Sequence, residues 1–210
     1  SEIVWDMIYW NSMRIIFGLA FLLTTTWSLC QISSNEWHNG IVVTTDQDTI
    51  SGEIKYDFPT NMVTLVKNES VIAFSSHKLI YFEIYDKVYK SYREFYTISY
   101  KNAANYATPI LFELQYEGVL SLLSREKIVL ETSSLGYGYG LPIVSQPSVR
   151  YDYFFLTKVG KLTQFSGSKK ELLRILAKKK NELQTFIKSN RLKTDELRDL
   201  VRIIAFYNSI

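Results

Sequence analysis

The stretch Ile110-Leu111-Phe112-Glu113-Leu114-Gln115-Tyr116-Glu117-Gly118-Val119-Leu120-Ser121-Leu122-Leu123-Ser124 decides the fold of this chain. Side chains alternate through its first half, so Phe112, Leu114 and Tyr116 point one way and Leu111, Glu113 and Gln115 the other, the period of an extended strand. Glu117-Gly118 then offers a turn in which glycine is free to take a positive φ, and a second β-rich run follows. Strand, short turn and strand in succession imply antiparallel pairing.

The same pattern extends from Trp37 to Glu131, rich in Ile, Val, Tyr, Phe and Thr and broken by turn formers about every 8 to 12 residues. It predicts strands over 40–44, 49–56, 62–66, 70–74, 79–85, 89–98, 110–116, 119–124 and 127–131. Within Thr49–Tyr56, Ile50, Ile54 and Tyr56 share a face that Gly52 interrupts, marking a bulge or a close packing contact. Residues 132–148 contain Gly136-Tyr137-Gly138-Tyr139-Gly140, Pro142 and Pro147 and read as a long loop, a candidate binding segment by its length. A final hairpin is expected over 150–156 and 161–165, turning at Val159-Gly160.

The tail is helical. Ser168-Lys169-Lys170-Glu171 has the form of a capping box, and apolar residues then recur at three and four residue spacing through Ala205. Asn190 is a stop for the second helix and Thr194 a cap for the third. The fold class is therefore α+β, an antiparallel β-sheet or partly closed barrel with a C-terminal helical tail, divided into a β-rich domain over 31–167 and a tail over 168–210. The tail carries 11 Lys and Arg against 5 Asp and Glu, and the β-rich domain 12 against 14.

Ahead of the β-domain, Met13-Arg14, an apolar run from Ile15 to Leu23 and a threonine-rich stretch ending at Cys30 have the layout of an export signal over 13–30. The apolar stretch is about 15 residues, short of the roughly 20 that span hydrocarbon. Ser28 and Cys30 place small side chains ahead of a cut before Gln31, whereas the bulky Trp27 and Leu29 disfavour lipidation of Cys30. Residues 1–12 fit no signal region and read as an upstream translation artefact. Cys30 is the chain's one cysteine, so a chain beginning at Gln31 has no disulfide, thiol nucleophile or cysteine metal cluster. No later stretch is long enough for a spanning helix, and export disfavours nucleic acid as a partner.

No catalytic, cofactor or metal motif stands out. His38 and His77 lack zinc spacing, no Gly-x-Ser-x-Gly elbow occurs, and strand alternation accounts for Glu113 without chemistry. The glycines of 136–140 lack the Lys-Ser/Thr ending of a phosphate loop. Tyrosine is the conspicuous excess, 15 in all, with Tyr92 and Tyr96 on one strand face near Tyr81, Tyr85 and Tyr89. Exposed rings can stack on sugars or engage a protein, so the candidate ligand residues are Tyr92, Tyr96, Tyr137 and Tyr139.

The segment Tyr106–Glu126, with Lys169–Leu173, Phe186–Leu192 and Phe206-Tyr207-Asn208, resembles uncharacterised exported proteins of Gram-negative bacteria. The resemblance implies an envelope location, in the periplasm or at the outer-membrane periphery, and brings no activity with it. The expected function is binding or scaffolding, with an envelope protein or a glycan as partner. The alternative is a periplasmic hydrolase acting on glycan or peptide, with residues 132–148 as a lid. A small outer-membrane barrel is disfavoured by charges on both strand faces, such as Arg93 and Glu94, and by the helical ending.

Overall fold

A computed structural model of the chain describes residues 36–101, 106–133 and 144–210. The strands are β1 (His38–Thr44), β2 (Thr49–Asp57), β3 (Met62–Lys67), β4 (Ser70–Ser75), β5 (Leu79–Asp86), β6 (Ser91–Lys101), β7 (Ala107–Tyr116), β8 (Leu120–Ser133), β9 (Val144–Thr157) and β10 (Leu162–Phe165). They form one antiparallel sheet in the order β10-β9-β8-β7-β6-β5-β1-β2-β3-β4, which does not close. Helices α1 (Lys169–Ile175), α2 (Lys180–Ser189) and α3 (Leu197–Ser209) follow. Among the described residues no helix is long and apolar enough to cross a membrane.

The chain's own reach forces the sheet to roll. β4 lies four strand spacings from β5, about 19 Å in a flat sheet. Only the turn Ser76–Lys78 joins Ser75 to Leu79, and four residue steps extend at most about 14 Å. The strands must therefore curl until β4 approaches the β5 side. Gly40 and Gly52 permit the curl, because a Cβ at either would collide with a neighbouring strand's carbonyl, that of Glu83 or Val66. Gly52 thus marks close packing, with no shift in the register that pairs it with Gly40.

The roll encloses Val42, Ile54, Tyr56, Val63, Leu65, Phe82, Ile84, Phe95 and Leu111. Side chains, not ladder bonds, stitch its open side. Ser76 Oγ donates to Pro109 O (2.7 Å), and Asn61 Oδ1 accepts from Leu111 N (3.5 Å) and from Arg125 Nη2 (3.2 Å). Beyond Ser124, β8 leaves β7 and continues with β9 alone as a two-stranded arm.

That arm corrects two expectations. Residues 119–124 and 127–131 belong to one strand, because Arg125-Glu126 is not a turn: both carry on the ladder, opposite Asp152 and Tyr151. The long loop over 132–148 is shorter than the sequence implies, since pairing persists to Ser133↔Val144; its remainder lies outside the described residues. A register shift after Leu114 makes a third correction. Phe112 and Leu114 join a cluster with Ile110, Leu123 and Phe154, while Tyr116 packs with the helices. The bulge turns Tyr116 to the opposite face from Leu114.

The helices bury Leu172, Leu176, Leu183, Ile187, Leu200, Ile203 and Ile204 against Leu120, Leu122, Tyr153, Phe155 and Phe165 of the sheet. Asn208 on α3 fixes the dock: its Oδ1 accepts from Leu120 N and its Nδ2 donates to Leu120 O, both at 2.9 Å. Gly118 is needed for this clamp and not for φ, since a Cβ there would sit 2.8 Å from Asn208 Cγ. Ser168 Oγ accepts from Glu171 N, as a capping box requires, but the Glu171 carboxylate turns to Ser166 N (2.9 Å) and Ser166 Oγ. Asn190 ends α2, where Arg191 takes φ 52° and Leu192 N donates to Ile187 O, a Schellman closure. Thr194 does not cap α3; its hydroxyl donates to Gly167 O at 2.6 Å and pins the inter-helix segment to the sheet's exit.

Candidate functional site

The site is built on the β5–β6 hairpin, and one aspartate sets its register. Asp86 Oδ1 accepts from the amides of Val88 (2.8 Å) and Tyr89 (3.1 Å), closing the turn. The strands then pair as Asp86↔Ser91, Tyr85↔Tyr92, Ile84↔Arg93, Glu83↔Glu94, Phe82↔Phe95 and Tyr81↔Tyr96. Two runs of one form, Tyr81-x-Glu83-x-Tyr85 and Tyr92-x-Glu94-x-Tyr96, are thereby laid side by side on a single face.

On the inner face the hairpin turns Phe82, Ile84, Arg93 and Phe95 into the roll. Arg93 is buried at the centre of an ionic cluster. It forks onto Glu113 through Nε (2.7 Å) and Nη2 (2.8 Å), and reaches Glu126 through Nη2 (2.6 Å) and Asp86 through Nη1 (3.4 Å). Tyr56 Oη accepts from Arg93 Nη1 at 3.1 Å. Burial opposes the guanidinium's charge, but the hydrogen bond and charge of Glu113, with Glu126, overcome it and hold the Arg93 pKa above its ordinary value. For Glu126 burial prevails over the attraction of Arg93 and pushes the carboxyl up. One guanidinium thus answers three carboxylates, all buried. The cluster joins β5, β6, β7 and β8 where the β6–β7 and β7–β8 ladders end, and its burial suits it to cohesion of the roll and not to meeting a substrate.

The outer face presents the opposite case. Tyr81 and Tyr96 lie with ring centres 4.9 Å apart, and Tyr85 and Tyr92 with 5.2 Å. Between the two ring pairs, Glu83 and Glu94 stand directly opposite one another. Tyr81 Oη donates to Glu83 (2.8 Å) and Tyr96 Oη to Glu94 (3.1 Å). Partial burial first, then these carboxylate bonds, push the Tyr96 phenol up to about 12 and the Tyr81 phenol up as well, so both stay protonated donors. Tyr92 is 66% exposed and Tyr89, on the turn, 69%. Like charges set opposite each other in a sheet cost roughly 0.2–1 kcal/mol. The pair is a local loss of stability within an aromatic frame open to solvent.

Of the four tyrosines singled out from the sequence, Tyr92 and Tyr96 are brought onto this face two residues either side of Glu94. Tyr137 and Tyr139 lie outside the described residues. Sequence reading missed the glutamates and the ion cluster. The signal for the first was the repeated Tyr-x-Glu-x-Tyr form flanking Asp86; the second had none, since Tyr56, Asp86, Arg93, Glu113 and Glu126 meet only through the roll. His38 is buried beside Tyr56, ring centres 6.4 Å apart, and His77 is exposed in the turn before β5.

Apart from this face, a concavity of about 660 Å³ lies along β9 beyond the end of β10. Its wall includes Lys127, Arg150, Asp152, Ser166, Glu171 and Asp195. Asp152 is held by Lys127 at 2.5 Å. The Ser166 hydrogen bonds keep the Glu171 carboxyl below its usual range. Comparison with protein families, characterised proteins and solved structures finds no match to the chain.

Proposed function

We propose that this chain is an exported envelope protein, in the periplasm or at the outer-membrane periphery of a Gram-negative cell, that acts by binding or scaffolding through the outer face of β5–β6. The observation that carries the reading is the opposed Glu83–Glu94 pair framed by four tyrosine rings on a solvent-facing surface. Rings offer stacking area at low entropic cost, and carboxylates accept hydrogen bonds from sugar hydroxyls or protein donors. The export part rests on the leader-like residues 13–30.

A photoreactive phenylalanine analogue replacing Tyr92, irradiated in native envelopes, is expected to form an adduct with a protein or glycan. A control probe at Val159, 89% exposed on the β9–β10 turn, should not form it. Absence of an adduct, or the same adduct from both positions, would sink the binding face. Separately, the envelope form should begin at Gln31, and full-length protein folded in the cytosol with its leader attached would overturn export.

A hydrolase acting on glycan or peptide is the second reading, favoured by the three carboxylates, Asp152, Glu171 and Asp195, in the wall of the 660 Å³ concavity. Such an enzyme needs one acid with a raised pKa, and Glu171 is shifted the wrong way. Hydrolysis of envelope polysaccharide or peptide that is lost in Asp152→Asn or Asp195→Asn would establish it; equal turnover by the variants would dismiss it.

A further inference from the structure

β9 pairs with β8 along its whole length, but β10 covers its other edge only from Tyr153 to Leu156. After Phe165 the chain turns away: Gly167 adopts φ 91° and Ser168 caps α1. Where β10 would have run on beside Arg150, Tyr151 and Asp152 there is instead the 660 Å³ concavity, floored by those three residues and closed by Ser166, Gly167 and Asp195. Among the described residues no strand pairs this edge. Alternate residues of a strand edge direct N–H and C=O groups outward, and unpaired they form a template for another extended chain. Proteins commonly blunt such edges, and Pro147, which lacks an N–H donor, does so farther out on the arm. Among the described residues neither a proline nor a strand covers the edge at Arg150–Asp152.

The wall also carries one uncommitted charge. Asp152 is paired with Lys127, Arg150 with Glu131, and Glu171 with Ser166, whereas the exposed Asp195 carboxylate has no hydrogen bond or ion pair among the described residues. Asp195 lines the same concavity as the unpaired β9 edge, together with the half-buried Tyr151.

We infer that the β9 edge at Arg150–Asp152 is a strand-acceptor site, which takes an extended segment of a partner polypeptide into the concavity and pairs a basic side chain of that segment with Asp195. Backbone pairing supplies the attachment and the side-chain pocket the selectivity, as in other strand additions. The site is separate from the tyrosine face and does not depend on it.

The probe is a blocked heptapeptide, Thr-Val-Thr-Lys-Thr-Val-Thr, added to the full chain with amide hydrogen exchange read residue by residue. The peptide is expected to slow exchange at Arg150–Asp152 and to leave β4, the sheet's other edge, unchanged. Asp195→Asn, at an exposed position that should not disturb folding, is expected to weaken binding about two- to fivefold, the range of an exposed ion pair. Exchanging the peptide's lysine for glutamate should do the same, and N-methylating alternate peptide bonds should abolish protection. No protection at millimolar peptide, or equal protection by the N-methylated form, overturns strand addition. Protection indifferent to both charge changes overturns the role of Asp195, and protection arising from dimerisation of the protein alone assigns the edge to a second copy and overturns the proposal.

Discussion

Arg93 and Glu94 are neighbours in the chain and stand in opposite settings. Arg93 is buried among Asp86, Glu113 and Glu126, with every carboxylate in contact distance. Glu94 stands on the other face of the same strand, opposite another glutamate, answered by one phenol and facing solvent. Inside the roll, charge is organised to tie neighbouring strands together and, through Glu126, to link β6 with the non-adjacent β8. Outside it, charge is placed where it costs stability. The difference separates residues that maintain the fold from residues free to meet a ligand.

The comparison breaks most completely if the inner face is uncovered. Deleting residues 168–210 would expose Leu120, Leu122, Tyr153, Phe155 and Phe165, and the truncated chain is expected to aggregate or be degraded. Size-exclusion chromatography checks this, and a monomer as stable as the full chain would refute the dock. Next in size, Arg93→Leu strands three buried carboxylates and should cost about 3–5 kcal/mol in urea denaturation.

The pH dependence sharpens the same contrast. Because burial raises the Glu126 pKa above its ordinary value of 4.5, the native state holds this proton to higher pH than the unfolded chain does. Its contribution to stability is therefore complete below about 4.5 and is lost as pH rises through the native pKa. Unfolding midpoints across mildly acidic pH should decline with rising pH through this group, and Glu126→Gln should remove that component.

Changes on the outer face should be small and of opposite sign. Glu83→Gln with Glu94→Gln relieves the like-charge pair and is expected to stabilise the unliganded protein by roughly 0.2–1 kcal/mol while weakening ligand capture. Smallest of all, Tyr92→Ala should shift stability by no more than about 0.5 kcal/mol, yet remove the envelope adduct. A large destabilisation from Tyr92→Ala would move that ring from the ligand face to the scaffold.

Much of this architecture is legible in local pattern. Period-two alternation located the strands from His38 to Tyr116 because most of them bury one face, and three and four residue spacing located the helices for the same reason, although β4 is mostly exposed and β7 is buried on both faces at Ile110–Glu113. Pattern failed where charge was buried. Arg125-Glu126 resembles a turn, but Glu126 is held by Arg93 and Arg125 Nη2 donates to Phe58 O (2.9 Å), partners more than thirty residues away along the chain. Tyr116 also escaped the alternation rule, because a bulge is a property of two strands and not of one. Two of the site's four tyrosines, Tyr92 and Tyr96, were visible as ligand candidates; the opposed glutamates needed the register that Asp86 imposes.

By itself the amino-acid order determined which segments extend, which coil and which side chains seek cover, since those follow from spacing and local hydrogen-bonding chemistry. Only the tertiary structure decided that a three-residue turn after β4 rolls the sheet, that one arginine gathers three acids within it, and that β10 stops short along a β9 edge that no other described strand pairs. These depend on distances between residues far apart along the chain, which no local period encodes.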